Sequence, residues 1–234
     1  MKTLILGISF SLGFTQNPFE LDSTLTSVLP QSIANSIEIA DVNNDGTQDI
    51  ILTGYDSTRF GVFLDIINGN SDGTISLGSQ LRIITYTDTI AKQIGGIGGI
   101  DLADVNQDGF IDAYLTGSAQ SNLYYNTNGE FLESSNLESM VLSYSDGKWG
   151  DVNMDGAPDL FIMGTDNFND VIINELYINN GSKLDEDKTT IFPALFNGSS
   201  AWGDYDNDGD PDLIICGQTA DKTASVSRFY QNDP

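Results

Sequence analysis

Four acidic segments of the chain share one spacing of oxygen-bearing side chains. They read DVNNDGTQD from residue 41, DVNQDGFID from 104, DVNMDGAPD from 151 and DYDNDGDPD from 204. Each fits D-x-(D/N)-x-D-G-x-x-D, so positions 1, 3, 5 and 9 carry a carboxylate or an amide oxygen. The glycine at position 6 permits a sharp reversal of the backbone, which lets alternate side chains converge on one centre.

This ligand set predicts a divalent cation in each loop. Calcium accepts about six to eight hard oxygen ligands in loose geometry, whereas magnesium demands stricter octahedral order and ranks second. We therefore expect up to four Ca²⁺ ions. The last loop has an aspartate at position 3 and is expected to bind most tightly. The expected ligands are Asp41, Asn43, Asp45, Asp49, Asp104, Asn106, Asp108, Asp112, Asp151, Asn153, Asp155, Asp159, Asp204, Asp206, Asp208 and Asp212.

Two other interpretations of these loops are weaker. Asp, Asn and Gly form turns readily without metal, but two carboxylates about 4 Å apart repel by roughly 4 kcal/mol at an effective dielectric constant near 20. A helix-flanked EF-hand requires a bidentate glutamate at position 12. That position falls inside a predicted strand in every copy and is occupied by Leu52, Leu115, Ile162 and Ile215.

Composition excludes several classes of function. A formal net charge of −25 argues against nucleic acid or an anionic membrane surface as a partner, since both need basic patches. The chain has no histidine, so Ser–His and Cys–His catalysis within it is excluded. Its single cysteine, Cys216, lies in an apolar run and is predicted to be a buried core residue.

The N-terminus has the outline of a secretory signal peptide. Lys2 precedes about eleven mostly apolar residues in MKTLILGISFSLGF, which predicts a signal at residues 1–16, although a first core strand could look similar. No later stretch approaches the roughly 18 apolar residues of a membrane span. We therefore expect a secreted or cell-surface protein whose repeat domain occupies residues 17–234.

The sequence around each acidic loop also recurs, with loop starts 63, 47 and 53 residues apart. An apolar and then a small residue precede each loop, and a short apolar run ending in glycine follows it, as in IILTG and LIICG. A third segment runs into an Asn/Gly turn, as in LYYNTNG, and a variable fourth segment such as GEFLESS follows. Units of about 50 residues with four strands indicate all-β propeller blades, and helical solenoids are excluded because no sustained 3.6-residue period occurs.

The positions at which the chain starts and stops within the repeat unit allow two interpretations of the propeller ring. Residues 18–30 resemble a fourth strand placed before the first loop, whereas the last unit ends after its third strand. The four blades could therefore close into a small ring, with the N-terminal strand completing the last blade. Alternatively, the chain forms part of a larger propeller, and an open arc would expose edges and invite self-association.

With these residues in view, the chain resembles the FG-GAP/VCBS repeat family of integrin-α-like β-propellers. The resemblance rests on WGDYDNDGDPDLIICG and KWGDVNMDGAPDLFIMG, together with the LYYNTNG and LYINNG strands, and covers nearly all of residues 18–232. It implies calcium held in hairpin loops between the first two strands of each blade. Members usually have seven blades, whereas this chain has four recognisable units and the first lacks the Trp-Gly pair.

These observations predict a secreted calcium-binding module that contacts an extracellular protein or matrix partner through loops on one propeller face. A lectin is the main alternative, with Trp149, Trp202, Tyr124 or Tyr177 stacking on sugar, although both tryptophans occupy core positions of the repeat. A calcium-dependent polysaccharide lyase or hydrolase is less favoured. No Lys, Arg or Tyr is visibly coupled to the carboxylates as a base, so we predict no catalytic residues and no enzyme activity.

Overall fold

The computed structural model describes residues 23, 29, 33–56, 61–85, 97–117, 120–166, 169 and 171–233. The predicted signal peptide at residues 1–16 lies outside the described residues, as does the predicted strand within 18–30 apart from Ser23 and Leu29. Within the described part of the chain, no helix has the length and apolar character needed to cross a membrane.

The described residues form four antiparallel sheets in which consecutive strands are neighbours. We call them blades 1 to 4. Blade 1 contains β1 (Ile33–Ala40), β2 (Asp49–Asp56), β3 (Gly61–Gly69) and β4 (Ile75–Thr85). Blade 2 contains β5 (Ile97–Ala103), β6 (Asp112–Gly117), β7 (Asn122–Thr127) and β8 (Glu130–Glu133). Blade 3 contains β9 (Leu142–Gly150), β10 (Asp159–Asp166), β11 (Val171–Asn179) and β12 (Leu184–Glu186), and blade 4 contains β13 (Leu195–Gly203), β14 (Asp212–Thr219) and β15 (Ser225–Tyr230).

This architecture confirms the predicted all-β propeller fold built from four-stranded blades, with blade 4 showing three strands among the described residues. Each acidic loop joins the first and second strands of its blade. The register is the same each time, because the small residue that ends the first strand pairs with the aspartate at position 9, as Ala40 does with Asp49 and Gly203 with Asp212. The sheet therefore fixes both ends of every loop.

The blades stack face to face in chain order. One face of the second strand packs on the following blade, and we call it the outgoing face. The opposite face packs on the preceding blade, and we call it the incoming face. Outgoing Ile51, Tyr114 and Phe161 are almost completely buried against blades 2, 3 and 4 respectively. Burial on both faces explains why these strands are continuously apolar instead of alternating with polar residues.

Close contacts at the start of each loop also join neighbouring blades. Trp202, on the incoming face of blade 4, lies directly over Gly150 of blade 3, where an added Cβ would come within 2.7 Å of the indole ring. Trp202 Nε1 also donates to the Lys148 carbonyl at 3.2 Å. In the preceding interface, Trp149 packs edge-on against Tyr114 with ring centroids 6.2 Å apart. The Trp-Gly pair therefore forms a contact between blades. Both tryptophans pack in the interior positions that were expected for them.

Asparagine side chains form a second link between blades. In blades 2 to 4, an asparagine at the end of the third strand reaches back to the position 2 carbonyl of the preceding loop. Asn126 Nδ2 donates to Val42 at 2.7 Å, Asn179 to Val105 at 2.8 Å and Asn232 to Val152 at 2.6 Å. These amides satisfy backbone acceptors at the blade boundary, where no strand partner is available.

Blade 4 differs from the others on its outgoing face. Ile214 and Phe229 are each 47% exposed, and Cys216 beside them is exposed as well. The prediction that Cys216 is a buried core residue is therefore wrong. Alternation along β14 places Cys216 on the same face as Ile214, and among the described residues no further blade covers that face.

The repeat register supplies a matched pair of substitutions. Phe161 and Ile214 occupy the same position of blades 3 and 4, one fully buried and the other half-exposed. Phe161→Ala should lower the free energy of unfolding by about 3–5 kcal/mol, because it leaves a cavity between two blades. Ile214→Ala should lower it by less than about 1 kcal/mol. Urea denaturation followed by tryptophan fluorescence measures both, and equal losses would contradict this assignment of the two faces.

Candidate metal centres in the acidic loops

The four loops, which we number 1 to 4 in chain order, share one internal hydrogen-bond pattern. The aspartate at position 1 accepts the backbone N–H of position 5 through Oδ1 and that of glycine 6 through Oδ2. For Asp41 these distances are 3.1 and 2.8 Å, for Asp151 they are 3.0 and 2.9 Å, and for Asp204 both are 3.2 Å. The position 1 carboxylate therefore faces the inside of its loop.

Position 3 points its oxygen at the same place. Asn43, Asn106, Asn153 and Asp206 each accept through Oδ1 from the position 5 N–H that position 1 also contacts, at 2.9–3.3 Å. The backbone achieves this curvature with a left-handed residue at position 4, such as Asn44 at φ 57°, and with glycine at position 6, such as Gly46 at φ 87°. Oxygens from positions 1 and 3 are thus brought together.

Position 9 has a structural role that the spacing did not indicate. Asp49, Asp112, Asp159 and Asp212 are buried, and each accepts two backbone N–H groups. Asp159 Oδ2 accepts from Val152 at 2.9 Å and its Oδ1 from Asn179 at 2.8 Å. The aspartate therefore ties the start of the loop to the end of the third strand. An ionised carboxylate has about four lone-pair sites, so these two bonds leave room for a metal ligand.

Burial affects the titration of these aspartates. Loss of hydration raises the pKa of Asp112 and of Asp159 to about 6 and also raises that of Asp49, in each case against the opposing effect of the backbone N–H groups. In exposed loop 1 the hydroxyl and N–H of Thr47 lower the pKa of Asp45 instead. A positive charge inside a loop would favour the ionised form of every one of these groups.

Loop 4 has the densest arrangement of carboxylates. Asp204, Asp206 and Asp208 each offer an oxygen, and these oxygens all lie within 4.8 Å of one another. In loops 2 and 3 the amide at position 3 donates to the position 5 carboxylate, as Asn153 Nδ2 does to Asp155 at 2.9 Å. Asp206 has no such donor group, and lost hydration together with the Asp208 charge raises its pKa.

Sequence reasoning missed a fifth aspartate in loop 4. Asp210, at position 7, is only 6% exposed, and its Oδ1 has no hydrogen-bond partner among the described residues. Lost hydration and the adjacent Asp208 raise its pKa to about 6. The corresponding residues of the other loops are Thr47, Phe110 and Ala157. The signal that could have identified it is the run of aspartates at every second position from 204 to 212.

The sequence also offered four aromatic residues that could stack on a bound sugar. Tyr124 is buried in the cluster between blades 1 and 2. Tyr177 packs partly buried between blades 2 and 3, and its hydroxyl donates to Glu175 at 2.7 Å. With Trp149 and Trp202 between blades as described above, these four rings contribute to blade packing.

Two substitutions in loop 3 separate the structural aspartate from the loop-lining ones. With chelator present, Asp159→Ala should destabilise the protein by about 1–3 kcal/mol for each buried N–H left unpaired. Asp155→Ala should cause a much smaller loss, because Asp155 lies in the exposed part of the loop, where water can replace its contact with Ala157. Chemical denaturation of both variants without metal gives the comparison, and equal losses would exclude a special role for position 9.

Comparisons with known proteins identify a repeat within part of the chain. A family model described as FG-GAP-like repeat matches residues 104–162 and again 151–215. A crystal structure of a protein from Lactobacillus plantarum is similar over 85% of this chain and 70% of that chain, at 12% identity and a TM-score of 0.36. No curated protein matches the sequence. The two overlapping matches together span residues 104–215, from the start of loop 2 to within β14, and this part of the chain consists of FG-GAP-like repeats.

Proposed function

We propose that this chain is a calcium-stabilised β-propeller module that binds an extracellular protein or matrix partner. The observation that carries the calcium assignment is loop 4. Three carboxylate oxygens lie within 4.8 Å of one another there, and the buried Asp210 Oδ1 beside them has no hydrogen-bond partner among the described residues. Clustered hard oxygens in an irregular loop suit calcium better than magnesium.

The ion would act on the fold through its ligands. Positions 1, 3 and 5 belong to the projecting part of each loop, whereas position 9 begins the second strand and is tied to the third. A cation shared between them would hold the hairpin to the blade and offset the mutual repulsion of the carboxylates. Binding to the folded chain in preference to the unfolded chain then adds directly to stability.

The arrangement of the loops supports a contact role. Asn44 Nδ2 of loop 1 donates to the Gly109 carbonyl of loop 2, and Gln107 Nε2 of loop 2 donates to the Gly156 carbonyl of loop 3, both at 2.8 Å. Neighbouring loops therefore form one continuous, acidic surface at one end of the blades. Such a surface, once loaded with cations, can recruit acidic or carbonyl-rich protein groups as additional ligands.

Action outside the cell is part of this proposal. It is supported by the apolar N-terminal segment after Lys2. Outside cells, even calcium sites with dissociation constants of about 10⁻⁴–10⁻³ M are filled. We propose a binding role and no enzyme activity, because the chain has no histidine and the loop carboxylates are accounted for as ligands and backbone acceptors. A sugar-binding role has less support, since the four candidate aromatics pack between blades.

Thermal melting with calcium or chelator tests the proposal. One site filled at a hundredfold excess over its dissociation constant adds about 2.7 kcal/mol, so calcium should raise the melting temperature by roughly 5–10 °C. Magnesium should give a smaller increase, and potassium chloride at the same ionic strength controls for screening. An unchanged melting temperature, together with no heat of binding in calorimetric titration, would refute the calcium assignment.

A reciprocal pair of substitutions tests the ranking of the loops. Asp206→Asn gives loop 4 the position 3 residue of the other loops, whereas Asn153→Asp gives loop 3 that of loop 4. Because calcium affinity follows the number of charged ligands, the first should weaken the tightest site by about tenfold and the second should create another tight site. Terbium luminescence titration measures both. Opposite or absent shifts would show that charge at position 3 does not order the sites.

A further inference from the structure

The outgoing face of blade 4 has the same surface features that bind the next blade in the rest of the structure. In blades 1 to 3, the corresponding residues Ile51, Tyr114 and Phe161 are buried by the following blade. In blade 4, Ile214 pairs with Phe229 across the strands, and both are 47% exposed. Tyr205 extends this apolar surface, with its ring centroid 5.0 Å from that of Phe229.

A vacant contact point for an aromatic ring lies on the same face. Gly150 of blade 3 is covered by Trp202 of blade 4, so that a Cβ there would lie 2.7 Å from the indole. Gly203 occupies the same position of blade 4, and a Cβ added there would meet nothing within 4 Å. The residue of blade 1 that corresponds to Trp202 is Ile39, which is 63% exposed and has no aromatic ring to place over Gly203.

The asparagine link gives a second criterion for what could cover this face. The position 2 carbonyls of loops 1 to 3 each accept from an asparagine of the next blade. No such asparagine reaches Tyr205, the position 2 residue of loop 4, among the described residues. The corresponding residue of blade 1 is Gly69, where an added Cβ would lie 2.2 Å from the Gln48 carbonyl oxygen. Blade 1 therefore lacks the asparagine and has no room for its side chain.

From these three features we infer that the outgoing face of blade 4 is a docking surface for a further FG-GAP-like blade, one that carries a Trp-Gly pair and an asparagine at the end of its third strand. The incoming blade stacks in the register of the three internal interfaces. Its tryptophan contacts Gly203, its asparagine donates to the Tyr205 carbonyl, and its apolar strands cover Ile214 and Phe229. Blade 1 meets neither criterion, because it carries Ile39 and Gly69 at the corresponding positions.

A tandem extension of the chain supplies such a blade as a probe. Joining a second copy of residues 128–186 after Asp233 continues the register, because Asn232 and Asp233 correspond to Asn126 and Thr127. The copy provides an outer strand for blade 4 and then a complete blade with the Trp-Gly pair and the terminal asparagine. Hydrogen–deuterium exchange in β14 and β15 should slow by about tenfold or more in the extended chain. The matched control carries Trp149→Ile and Asn179→Gly in the copy alone, which reproduce the blade 1 residues, and should recover most of the original exchange rate.

Alanine at the two equivalent glycines provides a readout that does not depend on the extension folding. In the original chain, Gly150→Ala should lower the melting temperature by more than about 4 °C, whereas Gly203→Ala should change it by less than about 2 °C. In the extended chain, Gly203→Ala should become as costly as Gly150→Ala.

Two results would overturn the inference. One is an extended chain that folds while exchange in β14 and β15 stays unchanged. The other is a Gly203→Ala loss in the original chain equal to that of Gly150→Ala, which would mean that the face is already covered. In the second case, light scattering shows what covers the face. A second copy of the chain would double the mass, whereas ring closure by blade 1 would leave it unchanged.

Discussion

The structure depends on a buried aspartate that accepts two backbone N–H groups at the base of every acidic loop. Asp112 illustrates the arrangement, accepting from Val105 at 2.9 Å and from Asn126 at 2.8 Å. The same Asn126 then reaches the preceding blade through its side chain, where it donates to the Val42 carbonyl. One carboxylate and one amide therefore join the loop, the third strand and the neighbouring blade. The hydrogen bonds of these groups offset the cost of burying them only when all three parts are in place.

This arrangement explains how a chain with a net charge of −25 folds around loops of clustered acid. The aspartates fall into two classes with different surroundings. Those at position 9 are buried, and their charge is held by backbone dipoles at some cost, as the raised pKa of Asp159 shows. Those at positions 1, 3 and 5 remain near solvent, where water and cations reduce their repulsion. The scaffold therefore fixes one carboxylate of each loop through backbone hydrogen bonds and leaves the others near solvent.

The sequence was sufficient to predict the strands, their order and the placement of the loops, because apolar runs and turn residues recur in the same order through four units. It could not separate the two roles of aspartate. A metal ligand and an acceptor of backbone N–H groups require the same residue, so Asp159 and Asp155 look alike in a motif. Asp210 was missed because the motif was defined by what the four loops share, and position 7 is an aspartate only in loop 4. Cys216 was misjudged because an apolar run indicates burial on both faces only where a blade lies on each side.

The first and last units show how neighbours determine residue choice in a repeat protein. Terminal units that face solvent usually carry a polar outer surface, and blade 4 does not, since its outgoing face presents Ile214 and Phe229. Blade 1 departs from the repeat in the opposite way. It has Gly69 where blades 2 to 4 have asparagine, so it has no side chain to reach a preceding loop, and its incoming face carries the exposed Ile39 where blades 3 and 4 have tryptophan. The two end units therefore lack, toward each other, the tryptophan and asparagine contacts that join the internal blades.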